Sequence, residues 1–362
     1  MMLDVSVIGP GPGAEGGVGA MAGYLGSTSS QRTRIRFDDP GSSRGPALRR
    51  ISAFFAVAAD CLLGRDDQRV RVLSLAGKGS TWRKIVLAGL LRLRDRPYAI
   101  HLHGGSYPEF LAAQRPLVRK AITIMFQQAG RVIVLGDVWA DFVRTELHVA
   151  EQRIARLPNC VPGPETVPER DEAPRILFSG RVGPRKGTPE LLEAWSALHS
   201  EHPMTLVLAG DLDDPDGSIR AQVEASDDIE LTGWVDENQL REHLRDSNIL
   251  VLPSHVENLP LSLLEGMAWG LAPISTPVGA ITEVIRDGEN GLLIPVGDPQ
   301  SLTHALRRLV EDLELRRSLA RAARQTWEDG YALPGYRNRY DDIMEAVAEV
   351  SHRHPMRSGG AR

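Results

Sequence analysis

Ile249-Leu250-Val251-Leu252-Pro253-Ser254-His255-Val256-Glu257-Asn258-Leu259-Pro260-Leu261-Ser262-Leu263-Leu264-Glu265 reads as three elements in succession. The apolar run 249–252 predicts a buried strand, the next residues a turn holding the Glu257 carboxylate, and the last ones a helix whose second turn carries Glu265. Pro260 suits the first helical turn, where a missing N–H costs nothing. The free N–H groups of that turn then point at the strand end and make it an anion site. A carboxylate on each side of such a site could grip the hydroxyls of a ligand whose phosphates rest on the helix dipole, as in a nucleotide sugar. Taken alone, two glutamates at this spacing read equally as a capping acid and a solvated side chain.

The rest of the second half changes that balance. Ile176-Leu177-Phe178-Ser179-Gly180 is a short apolar strand, followed by Arg181, Lys186 and Gly187 and then by an amphipathic run over 188–198. The two loops together resemble the retaining glycosyltransferases of family 4, whose nucleotide-binding domain carries G-R-x4-K-G on one loop and E-x7-E on another. Leu206-Val207-Leu208-Ala209-Gly210-Asp211, Leu231-Thr232-Gly233-Trp234-Val235 and Gly288-Glu289-Asn290-Gly291-Leu292-Leu293 come in the family's order. The likeness is strong over residues 173–330 and weak in the first half.

That resemblance implies an α/β chain of the GT-B fold, two Rossmann-like doubly wound domains facing each other across a cleft. It implies a retaining transferase that moves a sugar from a UDP- or GDP-linked donor to an acceptor hydroxyl, in bacterial exopolysaccharide, capsule or glycolipid assembly. The acceptor it suggests is a carbohydrate or a polyprenyl-diphosphate-linked sugar, and no metal or cofactor is expected. By the same likeness Arg181 and Lys186 hold the donor diphosphate, Glu257 the sugar hydroxyls and Glu265 the ribose, whose vicinal diol matches two carboxylate oxygens. His103, in His101-Leu102-His103-Gly104-Gly105, is expected near the donor sugar, and is chosen over His101 because it precedes the glycines. The turn amides of Asn258 and Leu259 approach sugar or phosphate, although Asn258-Leu259-Pro260 departs from the family's commoner Gly-Phe-Pro, which leaves donor preference open. Gly16 and Gly17, after the opening strand, let backbone approach a diphosphate or the acceptor. Gly279 reads either as part of this site or as a simple turn glycine.

Composition agrees with a chain of this kind. Its 362 residues suit two α/β domains, and 42% hydrophobic with 25% charged residues is ordinary for a folded soluble protein. Cys61 and Cys160 form no C-x-x-C or Cys/His cluster, which fits a reducing compartment without a disulfide framework or structural zinc. The N-terminus lacks a basic leader, and no stretch reaches the roughly 18 apolar residues that span a bilayer, so a cytoplasmic protein is expected, peripheral on the membrane at most. Net charge is −5, but residues 1–163 hold 22 Lys+Arg against 13 Asp+Glu and the remainder 20 against 34. A basic first half fits an anionic membrane surface better than nucleic acid, because no aromatic-basic interleaving or recognition helix is present. Residues 82–94 and 115–126 pair basic rims with apolar bodies and are the segments expected to make that contact, unless they are ordinary core-facing helices.

Along the first half, short apolar runs at Val5–Ile8, 34–37, 69–75, 98–102 and 131–135 alternate with helical patterns over 19–25, 47–63, 81–93, 115–129 and 138–145, which predicts a parallel sheet. The expected organisation is a first domain over 1–163, a proline-rich linker over 164–174, a nucleotide-sugar domain over 175–330, a helix over 331–350 returning to the first domain, and a disordered tail over 351–362. Rival readings remain. Gly11-Pro12-Gly13-Ala14-Glu15-Gly16 matches a dinucleotide fingerprint, but Pro10 and Pro12 remove backbone donors and Asp38 lies too far on. A GT-B sugar phosphorylase or epimerase, or a non-catalytic nucleotide-sugar-binding subunit, would share the donor motifs.

Overall fold

The structure, a computed structural model, describes residues 2–41, 46–64 and 69–353. The chain divides into two compact units, one formed by residues 1–159 with 333–362 and the other by residues 160–332. Each is built on one six-stranded parallel sheet.

In the first unit the strands are β1 (Leu3–Ile8), β2 (Thr33–Asp38), β3 (Val70–Leu75), β4 (Tyr98–Leu102), β5 (Arg131–Val134) and β6 (Ile154–Arg156), in the order β2-β1-β3-β4-β5-β6. All six residues of β3 and all five of β4 are buried, because strands joined by helical crossovers are covered on both faces. Two elements were missed by the pattern reading. β6 has only three residues, too few for a periodicity, and the helix Tyr107–Ala112 is barely more than one turn.

In the second unit the strands are β7 (Arg175–Ser179), β8 (Thr205–Ala209), β9 (Ile229–Gly233), β10 (Ile249–Leu252), β11 (Ala272–Ser275) and β12 (Leu292–Leu293), in the order β12-β11-β10-β7-β8-β9. Its core is mostly aliphatic, with Ile176, Leu206, Leu208, Ile249 and Val251 at or near zero exposure around Phe178, closed by Trp195 and Leu198 from the helix Thr188–Leu198. The proline-rich stretch read as a linker is fastened to this unit. Arg170 donates to the carbonyls of Leu244, Arg245, Trp269 and Gly270, and Arg324 donates to that of Pro164.

The final helix starts at Leu333, with Pro334 in its first turn, and runs to Arg353. It packs on β3, β4 and β5 and therefore completes the first unit. Residues 351–353, read from sequence as the start of a disordered tail, are helical; the rest of that stretch lies outside the described residues. A buried ion pair holds the helix. Arg337 Nε donates to Asp341 at 3.0 Å, and its other nitrogens reach the Thr33 carbonyl at 2.7 Å and the Thr28 carbonyl at 3.1 Å. Asp341 also accepts from Thr33 Oγ1 at 2.6 Å and Ser30 Oγ at 2.5 Å, so each of the two buried charges is answered. Removing one partner of a buried pair strands the other. Asp341→Ala is expected to lower unfolding free energy by about 3 kcal/mol in urea titration, with Arg337→Met/Asp341→Ala losing less than Asp341→Ala alone.

Candidate functional site

In the second sheet β7 is followed outward by β8 and β9, and the chain then returns to the other side of β7 to lay down β10, β11 and β12. Between β7 and β10 the order reverses, and the loops after these two strands meet over the carboxyl ends of the sheet, where ligands of open α/β sheets bind. The loop after β7 carries Arg181 and Lys186; the loop after β10 carries Glu257, Asn258 and Leu259.

The two loops are joined at several points. Gly187 has φ 72°, and a Cβ there would stand 2.0 Å from the Pro253 carbonyl oxygen, so no other residue fits the crossing. The His255 amide donates to the Arg185 carbonyl at 3.1 Å. Lys186 Nζ and Glu257 Oε1 form an ion pair at 2.5 Å, both partly sheltered from water. Beside it His255 Nε2 and Glu190 Oε1 lie 2.8 Å apart. Arg181, by contrast, is exposed and makes no ion pair among the described residues.

Two helices begin in these loops, Thr188–Leu198 at Gly187 and Leu261–Ala268 at Pro260, and neither has a side-chain cap. Their first-turn N–H groups therefore remain able to take an anion. Pro260 is the residue before the helix, where the sequence pattern placed it inside the first turn. Glu265 lies on the second turn and is nearly buried, because the helix lies close on β10. A Cβ on the neighbouring Gly266 would come within 2.7 Å of Leu250 Cδ2. Asn258 and Leu259 have buried side chains, and the Asn258 carbonyl accepts from the Ala280 amide at 2.8 Å. Gly279 makes that approach feasible, with φ 58° and a Cβ position only 2.4 Å from the Asn258 oxygen. Thus Arg181, Lys186, Glu257, Asn258, Leu259, Glu265 and Gly279 gather on one end of the second sheet.

The remaining expected residues lie at the corresponding end of the first sheet. Gly16, with φ 82°, precedes the helix Gly17–Ser27 just after β1, and Gly17 opens that helix. His103 follows β4 and donates its amide to the Leu75 carbonyl at the end of β3 at 2.7 Å. Its ring packs 4.0 Å from that of His101. Burial, with the charge of Lys84 adding to it, pushes His103 down to about 4, and burial holds His101 well below its ordinary value. Both rings are neutral at pH 7. Both line a cavity of about 30 Å³ together with Ser74, Tyr336 and Tyr340.

Lys84 was misread from sequence as part of a basic rim. It is fully buried, on the inward face that also carries Thr81, Leu87, Ala88 and Leu91 of the helix Lys78–Leu93, with Ser80 Oγ 3.4 Å from its Nζ. Helical spacing places it on that face; the flanking Arg83 disguised it. Burial lowers its pKa to about 7. His255 and Glu190 were also missed, being paired only by the fold.

The family described as glycosyl transferases group 1 matches residues 164–326. That match falls within the second unit. A D-inositol 3-phosphate glycosyltransferase of Acidothermus cellulolyticus is 32% identical over 163 residues, 41% of this chain and 36% of that protein. An alpha-D-kanosaminyltransferase of Streptomyces kanamyceticus is 24% identical over 259 residues, 64% of this chain and 66% of that one. The match thus spans between about a third and two thirds of these curated relatives. Among solved structures, Anabaena HepE in complex with UDP superimposes with TM-score 0.72 at 15% identity, covering 95% of this chain and all of that one. The fold is GT-B-like.

The buried bases give a pH prediction. Lys84 titrates near 7 when folded and at its ordinary 10.5 when unfolded, so between these values the unfolded chain binds the extra proton and stability from this group rises with pH. Lys84→Met should therefore raise the urea midpoint more at pH 7 than at pH 10; a gain independent of pH would contradict the assignment. By the same sign, His103 makes the protein lose stability as pH falls from 6.5 toward 4.

Proposed function

We propose that the chain is a retaining glycosyltransferase that binds a nucleotide-diphosphate sugar at the β7/β10 end of its second sheet and transfers the sugar to an acceptor hydroxyl. The reading rests chiefly on one observation, the convergence of Lys186 and Glu257 from two different loops beside two uncapped helix starts. Cations and helix N-termini are what a departing diphosphate needs, since charge builds on it as the bond to the sugar breaks. Arg181 and Lys186 take the phosphates. Glu265 takes the ribose hydroxyls, and Glu257 turns from Lys186 to the sugar hydroxyls.

Transfer with retention follows from attack on the face from which the phosphate leaves. The acceptor oxygen bonds to the anomeric carbon, the carbon–phosphate oxygen bond breaks, and the acceptor proton passes to the leaving phosphate oxygen. The product is a glycoside and a nucleoside diphosphate. Uridine is the first donor base to try, because the structurally similar HepE holds UDP. A bacterial exopolysaccharide, capsule or glycolipid, built on a carbohydrate or polyprenyl-diphosphate-linked acceptor at the cytoplasmic side of the membrane, is the setting that suits the basic first half.

Calorimetric titration with UDP, GDP and ADP tests the donor site. One diphosphate should bind, and Glu265→Ala should weaken it by ~1.5–3 kcal/mol, the scale for a lost hydrogen bond to a charged group. Arg181→Ala and Lys186→Ala should each lower turnover by about 10². A folded protein that binds none of the three sinks the reading, and release of sugar phosphate from glycoside and inorganic phosphate would make it a phosphorylase instead.

A further inference from the structure

We infer that one face of the first unit, centred on the helix Ala47–Leu63, is a docking surface for an anionic lipid bilayer. An amphipathic helix ordinarily turns its apolar stripe inward. Here the stripe faces out. Leu48, Ile51, Phe55 and Leu63 recur at helical spacing on one side of the helix and are 82%, 52%, 64% and 72% exposed, while Cys61 is its only buried residue. The neighbouring helix Lys78–Leu93, which packs beside it, repeats the pattern with Trp82, Val86 and Leu93, each about half exposed or more. The helix Pro116–Gln127 packs on the far side of that one and adds Leu117, 82% exposed. Scattered exposed leucines need no explanation, but adjoining outward stripes do.

Charge selects the occupant. The three helices contain eight Lys or Arg residues, of which Lys84 faces inward, and one acid, Asp60. Asp60 is engaged by Arg36 at 3.1 Å, and Arg69 and Arg71 stand within 4 Å of it, so it does not offset the surface cations. Arg49, Arg50, Arg92, Arg119 and Lys120 are exposed around the apolar stripes. Two copies of this chain meeting through the face would oppose cation to cation. An apolar surface rimmed by cations instead fits acyl chains beneath anionic headgroups. Among the described residues no helix is long and apolar enough to cross a membrane, so the contact is one of surface docking. Sequence pattern had pointed to residues 82–94 and 115–126; the fold adds the helix Ala47–Leu63 and makes it the most exposed element. The inference stands apart from the reading of the donor site.

Co-sedimentation of the full chain with vesicles tests it, using phosphatidylglycerol mixed equally with phosphatidylcholine against phosphatidylcholine alone. Binding should be at least about tenfold stronger to the anionic vesicles and weaken with added salt. Ile51→Glu/Phe55→Glu and Arg49→Glu/Arg50→Glu should each reduce it by about tenfold or more, with calorimetric binding of nucleoside diphosphate, where the wild type shows it, and the urea midpoint as checks on the fold. Absence of vesicle binding, or equal binding by wild type and both folded variants, overturns the inference. So does a concentration-dependent dimer in light scattering that Ile51→Glu/Phe55→Glu abolishes, which would make the face a contact between copies.

Discussion

β7 and β10 lie side by side although one ends at Ser179 and the other begins at Ile249, and everything at the candidate site depends on that adjacency. Parallel strands joined by right-handed crossovers put all their following loops at one end of the sheet. Only where strand order reverses do two neighbouring loops diverge from each other toward opposite faces, leaving room for a ligand between them. The Lys186–Glu257 pair spans that point, and Gly187 lets the two loop backbones cross closely enough for it to form. An ion pair so placed adds little net stability, since shielding two charges from water offsets much of their attraction. Its consequence is positional. It holds a cation and a carboxylate ready in a loop pair that would otherwise carry opposite charges on separate, mobile side chains.

The first unit handles charge differently. Arg337 and Asp341 neutralise each other inside it, whereas Lys84, His101 and His103 are sheltered from water with no ion pair among the described residues, and answer by losing their protons more easily. Their clustering beside the loop after β4 gathers neutral imidazoles, and an amine that gives up its proton near pH 7, at one end of the first sheet. On the outside of the same unit, cations and apolar side chains are left exposed together. Inner and outer faces of the helix Lys78–Leu93 thus serve opposite ends, Lys84 inward and Trp82 with Val86 outward.

Much of this was legible in the sequence because it is local. Apolar runs marked β7 and β10, and the spacing of Arg181, Lys186, Glu257 and Glu265 depends on loops next to those strands. What the sequence could not display is pairing across distance. His255 with Glu190, and Lys186 with Glu257, are contacts made by topology. Lys84 was legible in principle, through its spacing from Thr81, Leu87 and Leu91, but a lysine beside an arginine invites reading as solvated surface. β6 and the helix Tyr107–Ala112 are too short to carry a period. The proline-rich stretch 164–174 reads as a linker because its apolar content is low; the carbonyls of Leu244, Arg245 and Trp269 that accept from Arg170 there lie far along the chain and have no local signal.

In the proposed donor complex Glu257 exchanges Lys186 for the donor sugar while the diphosphate takes Lys186. Comparing the affinity of Glu257→Gln for a nucleotide sugar with its affinity for the matching nucleoside diphosphate tests this directly. Because a neutral amide in place of the carboxylate no longer competes for Lys186, diphosphate binding should be preserved or tightened, while the extra affinity contributed by the sugar should be lost. Equal weakening of both ligands would contradict the exchange, and would make Glu257 a support for the loops with no part in holding the sugar.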